Sequence, residues 1–134
     1  MILVDTNVWS ETIKDPCDAR VASWMSANRD ALWLSVIVMA EIRHGIELPK
    51  ASARRHRLEV WFGRIVRATL TRTLDFDRDA AQVFGALMAR RNAETKLLDL
   101  QIAAQALARD IPVATRNVRD FAWTGVKLIN PWEG

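Results

Sequence analysis

The chain is short of the residues that most often build metal clusters, disulfide scaffolds and membrane spans: it has one cysteine and two histidines. Cys17 has no second thiol to pair with and stands beside Pro16 in a loop-like stretch, which excludes an intramolecular disulfide and a thiolate metal site. The opening apolar run Met1-Ile2-Leu3-Val4 is broken by Asp5. It is too short for the hydrophobic region of a signal peptide or for a membrane span, so a cytoplasmic protein with no membrane contact is expected. No internal repeat, low-complexity segment or linker interrupts the chain, and one domain over residues 1–134 is expected.

What is present is enough for a core, since 50% of the 134 residues are hydrophobic. Nineteen Lys and Arg against sixteen Asp and Glu leave a net charge of +3, compatible with a polyanionic partner. The two signs are distributed differently. Arg54, Arg55, Arg57, Arg64 and Arg67 crowd one segment, whereas several acids stand alone among apolar residues.

The residues preceding Asp5-Thr6-Asn7 read as a buried strand opening into a polar turn. Asp18 suits the N-cap of a helix carrying Val21, Trp24 and Met25, and Ser35 that of a helix carrying Val38, Met39, Ile42 and Ile46. Arg54 to Ala68 has the clearest helical stripe, Leu58, Trp61, Phe62, Ile65 and Val66. Thr69 to Phe76 suits a short strand, Asp77 caps a further helix, and another runs from Leu97 to Arg109. Strands are expected again at Ile111–Ala114, with Pro112 tolerated only near the start, and at Val126–Ile129. Strands alternating with helices predict an α/β fold with a central, mainly parallel sheet flanked by helices.

In such a sheet, ligands gather beyond the carboxyl ends of the strands, which is where Asp5 falls. Glu41 is the one charged residue between Val36 and Ile42, and Asp99 lies among Leu97, Leu98, Leu100 and Ile102. Structural explanations compete with a functional one. Asp5 suits a helix cap, Glu41 a salt bridge to His44 or an exposed helix face, and Asp99 the acid-favouring start of a helix. Carboxylates brought together would repel one another and hold protons unless a divalent ion were present, and oxygen-only ligands favour Mg²⁺ or Mn²⁺.

Five blocks, namely Met1 to Asn7, Ser35 to Gly45, Asp99 to Ala104, Ala114 to Asn117 and Asn130-Pro131-Trp132, together resemble the PIN domain of VapC and FitB-like toxins. Their order and spacing across nearly the whole chain carry the likeness. The resemblance implies a PIN-like fold, a metal-dependent endoribonuclease and catalytic acids at Asp5, Glu41 and Asp99, with Asp5 and Asp99 as metal ligands. The chain departs from the family at the fourth acidic position, where it has Asn117. Asp120 is the alternative carboxylate, or else a cap for the turn at Phe121.

The resemblance further implies an RNA substrate, transfer or ribosomal, cut to 5′-phosphate and 3′-hydroxyl ends. It also implies a homodimer and a VapB-type antitoxin whose helix fills an apolar groove. Thr6 and Thr115 are candidates to orient the acids. The arginines are candidates to follow an RNA backbone, or form a solvated face, and Trp61 and Phe62 to stack bases, though their spacing favours core. A metal-free cleavage through a cyclic phosphate usually needs histidine, and His56 lies in the exposed arginine-rich stretch. A phosphoreceiver domain would need an acidic pair after the first strand, which Thr6-Asn7 does not provide. A degenerate module that binds RNA or protein without cutting is the remaining alternative.

Overall fold

A computed structural model describes residues 1–92 and 94–133. Its centre is a parallel sheet of β1 (Ile2–Val4), β2 (Leu32–Ser35), β3 (Thr73–Leu74), β4 (Val113–Ala114) and β5 (Leu128–Ile129). The strand order is β3-β2-β1-β4-β5, every neighbouring pair parallel. Around it lie α1 (Thr6–Glu11), α2 (Ala19–Ala27), α3 (Val36–Glu47), α4 (Arg55–Ala68), α5 (Arg78–Arg90), α6 (Leu97–Arg109) and α7 (Val118–Phe121). The α/β reading from sequence is borne out, with a sheet that is parallel throughout the described strands.

Residues buried on both sheet faces are short and apolar, as a sheet covered by helices requires: Leu3, Val4, Leu34, Val113 and Ala114. Helix α6 is the most deeply set, with Leu100 and the run Ile102 to Ala106 buried. It ends where Asp110 adopts a left-handed backbone at φ 53°, a conformation that short polar side chains tolerate, and the chain turns into β4.

Three of the expected caps form. Asp18 accepts from the amides of Arg20 and Val21, Ser35 from Ile37 at 3.0 Å, and Asp77 from Ala80 at 2.9 Å. The buried Gln105 side chain ties three elements together. Its carbonyl accepts from the Ser35 hydroxyl at the start of α3, and its amide donates to the Leu74 carbonyl on β3 at 3.1 Å. Thus α6 is keyed to both the helix and the strand beside it. Among the described residues, no helix is long and apolar enough to cross a membrane.

Candidate active site

Strand β1 lies between β2 and β4, so the connections out of the sheet diverge at its carboxyl end, the place where an open α/β sheet leaves a crevice. Asp5 is the first residue past that end. Its amide still bonds across to the Ala114 carbonyl at 2.9 Å, while its side chain turns to cap α1. Oδ1 accepts from the Thr6 amide at 2.8 Å, and Oδ2 accepts from the Thr115 hydroxyl at 2.8 Å and from Asn7 Nδ2 at 3.3 Å. Capping of α1 uses Oδ1 alone, so it does not exclude a further role for the buried Asp5 carboxylate.

Thr115, fully buried just past β4, also accepts from the Asn117 amide at 3.0 Å and from Asn7 Nδ2 at 3.3 Å. Asn7 Oδ1 in turn accepts from the Arg116 amide at 3.1 Å. This net joins the carboxyl ends of β1 and β4. Asn7 is an orienting residue to which sequence reasoning assigned no separate role, although its place in Asp-Thr-Asn was a usable signal.

Glu41 projects from α3 and accepts from the Thr6 hydroxyl at 3.1 Å. It forms no salt bridge with His44 among the described residues. Asp99 sits in the first turn of α6. Asp99 feels the charge of both other acids, and Glu41 that of Asp5. Burial, first, then repulsion from Asp5 and Glu41 push Asp99 up to about 6. Burial likewise raises Asp5 despite the bonds from Thr115 and Thr6, and raises Glu41 with Asp5 adding to the effect.

The charge of Asp120 reaches both Asp5 and Asp99, whereas the exposed Asn117 makes no side-chain cap to α7. Lys96, to which the sequence assigns no role, is a cation whose charge acts on Asp5, Glu41 and Asp99 alike. Its signal was modest: the nearest basic residue to a lone acid.

The donor set suits a hard divalent ion, being all oxygen and short of positive charge. Among the described residues, no three Asp, Glu, His or Cys side chains stand close enough to enclose an ion as they lie. The acids share a field, and water molecules would complete the coordination shell, as Mg²⁺ commonly requires.

Two clefts lie nearby, one at Glu41 and the other at Asp120. One, of about 290 Å³, is lined by Thr6, Glu41, Ile42, Leu58 and Trp61 together with Lys50 and Arg54. The other, of about 440 Å³, is lined by Arg116, Asn117, Arg119, Asp120, Asn130 and Glu133. The arginine cluster divides between roles. Arg55 is held by the carbonyls of Ile46 and Leu48, and Arg57 by that of Ile13, whereas Arg54, Arg64 and Arg67 are exposed and make no side-chain hydrogen bond among the described residues. Phe62 is buried beneath Arg43, and Trp61 is half-buried with its indole bonded to Thr12 at 2.8 Å.

The family model for the PIN domain matches residues 2–125. The chain belongs to the PIN-domain family. Among its PIN relatives is the VapC ribonuclease Y4jK of Sinorhizobium fredii, 40% identical over 99% of both chains. The toxin FitB of Neisseria gonorrhoeae is 33% identical over 98% of this chain and 99% of the other. The crystal structure of FitAcB from Neisseria gonorrhoeae superposes with a TM-score of 0.88 at 30% identity, covering all of both chains. The family resemblance read from the motif blocks is borne out.

Proposed function

We propose that this chain is an endoribonuclease dependent on Mg²⁺ or Mn²⁺ and the toxin of a toxin–antitoxin pair, acting as a single PIN domain over residues 1–134. The observation that supports the reading is the linkage of the three acids near the carboxyl end of β1: the Thr6 hydroxyl beside Asp5 bonds Glu41 at 3.1 Å, and the charges of Asp5 and Glu41 act on Asp99. Carboxylates held in an environment that penalises their charge are suited to receive a cation. The names of the relatives, VapC ribonuclease and toxin FitB, support the same activity and role.

Asp5 and Asp99 would hold the ion. When bound, it supplies positive charge to the pentavalent phosphate of the transition state and acidifies a water. Glu41, held by the Thr6 hydroxyl, would orient the attacking water and take its proton, while Thr115 and Asn7 keep Asp5 in place. The water attacks phosphorus, the P–O3′ bond breaks, and the leaving 3′ oxygen takes a proton from solvent, giving 5′-phosphate and 3′-hydroxyl ends. Asp120 takes the fourth acidic position, because its charge acts on Asp5 and Asp99. Asn117 serves through its amide, which donates to Thr115.

Exposed Arg54, Arg116 and Arg119 in the flanking clefts suit an RNA backbone. The apolar wall of Ile42, Leu58 and Trp61 suits a helix of a VapB-type antitoxin, which would then cover Glu41 in the same cleft. A homodimer completes the proposed assembly.

The test is cleavage of transfer RNA and ribosomal RNA by the purified, antitoxin-free protein with Mn²⁺, with EDTA, and as the Asp5→Asn and Asp99→Asn variants. Discrete cuts that need metal and vanish in both variants are expected. Cuts that survive EDTA refute the metal mechanism. A folded, metal-loaded protein that cuts neither RNA is a binding module.

A further inference from the structure

Lys96 stands where local structure disfavours it. It is the N-cap of α6, with extended backbone angles of φ −69° and ψ 141°, and it makes no side-chain cap bond. An N-cap side chain normally offers an oxygen to the free amides of the first turn, as Asp5, Asp18, Ser35 and Asp77 do for α1, α2, α3 and α5. Lysine has no acceptor to offer. Its ammonium also adds positive charge at the helix end where backbone dipoles already concentrate it. The preceding Thr95 does not take over the cap, since its hydroxyl bonds to Asn92 and to the Trp123 indole.

The side chain is not committed to a structural pair. Lys96 is exposed and makes no ion pair within 4.0 Å among the described residues, although Asp99 follows it at the i+3 position. A simple counterion would close on one carboxylate. The ammonium instead makes no such pair, while its charge acts on Asp5, Glu41 and Asp99.

We propose that Lys96 is a substrate-binding residue whose ammonium donates to a non-bridging oxygen of an RNA phosphate brought to the acid cluster; this rests on the ribonuclease reading above. A divalent ion cancels only part of the charge of Asp5, Glu41, Asp99 and Asp120, and an approaching phosphodiester adds another negative charge. Lys96 offsets it at the place where the repulsion is greatest. A flexible point charge suits an anion that moves as its geometry changes from tetrahedral to bipyramidal.

The test uses the full chain carrying Asp5→Asn and Asp99→Asn, which removes as much negative charge as a divalent ion would cancel and prevents cutting. A fluorescent single-stranded RNA is titrated in EDTA at several salt concentrations, with Lys96, Lys96→Ser and Lys96→Arg in that background. Lys96→Ser is expected to bind about tenfold more weakly at low salt. The slope of log affinity against log salt should be shallower by about 0.7. Lys96→Arg restores both, and Lys96→Ser, which gains a cap, melts about 2–5 °C higher.

Equal affinity and slope in the serine variant overturn the proposal and leave the nuclease reading standing if the wild-type protein cuts. Loss of affinity together with a lower melting temperature and no rescue by arginine assigns Lys96 a structural role, which also overturns it. Weaker, less salt-sensitive binding without destabilisation supports the phosphate contact even if no RNA is cut.

Discussion

Replacing Asp99 by asparagine should strengthen the metal-free fold while ending its activity. Asp99 has a folded-state pKa of about 6 against an ordinary 3.8, so the folded protein holds this proton more tightly than the unfolded chain does. For a group raised in this way, the associated stability is fully present below the unfolded value and is lost as pH rises through the folded one. Each pH unit between them is worth about 1.4 kcal/mol, which sets an upper bound of about 3 kcal/mol. Solvent screening at the half-exposed carboxylate reduces this to about 2 kcal/mol. Asparagine keeps the shape and carries no charge.

In EDTA at pH 8, Asp99→Asn should therefore exceed wild type by about 2 kcal/mol in urea denaturation, and the gap should close as pH falls toward 4. With excess Mn²⁺ the order should shift back, because saturating wild type at about a hundred times its Kd adds about 2.7 kcal/mol. A variant no more stable than wild type at pH 8, or a gap unchanged between pH 4.5 and 8, refutes the argument that these acids strain the empty site.

Thr115→Val removes a donor that favours ionised Asp5 and leaves the Asn117 amide without its acceptor. Initial-rate measurements should show activity lower by about 10–100-fold and an acid limb displaced to higher pH, whereas an unchanged pH profile would count against the role given to Thr115. Gln105→Leu breaks the links to Ser35 and Leu74 and should cost about 2–4 kcal/mol by urea denaturation. In a double-mutant cycle with Ser35→Ala, additivity within about 0.3 kcal/mol would deny the coupling.

The elements easiest to read in the sequence were those whose burial is one-sided. Ser35, Asp18 and Asp77 announced helices because a cap acts locally, and the stripe from Leu58 to Val66 did so by period. Helix α1 is not evident in the sequence, although Asp5 suits a cap, because Thr6 to Glu11 is short and Asp5-Thr6-Asn7 reads as a polar turn. The sheet edges were overextended. Thr69 to Phe76 contributes only Thr73–Leu74, and Ile111 to Ala114 only Val113–Ala114, since pairing stops where the partner strand stops and no local pattern records that.

For the site, the mark was an acid in apolar company, which singled out Glu41 and Asp99 because burying a charge needs a reason. Asn7, Lys96 and the choice between Asn117 and Asp120 were not decided by such a mark. Each depends on what stands across the crevice from it, in segments far away along the chain.

The bonds around Asp5 also bear on how an ion can be held there. An ionised carboxylate has about four lone-pair directions, and those of Asp5 already receive Thr6, Thr115 and Asn7. One direction remains, so any ion taken by Asp5 would be bound through a single oxygen. An ion held by so few protein oxygens would keep most of its hydration shell. Such an arrangement favours Mg²⁺, which gives up water reluctantly, over Ca²⁺, which prefers several protein oxygens at once.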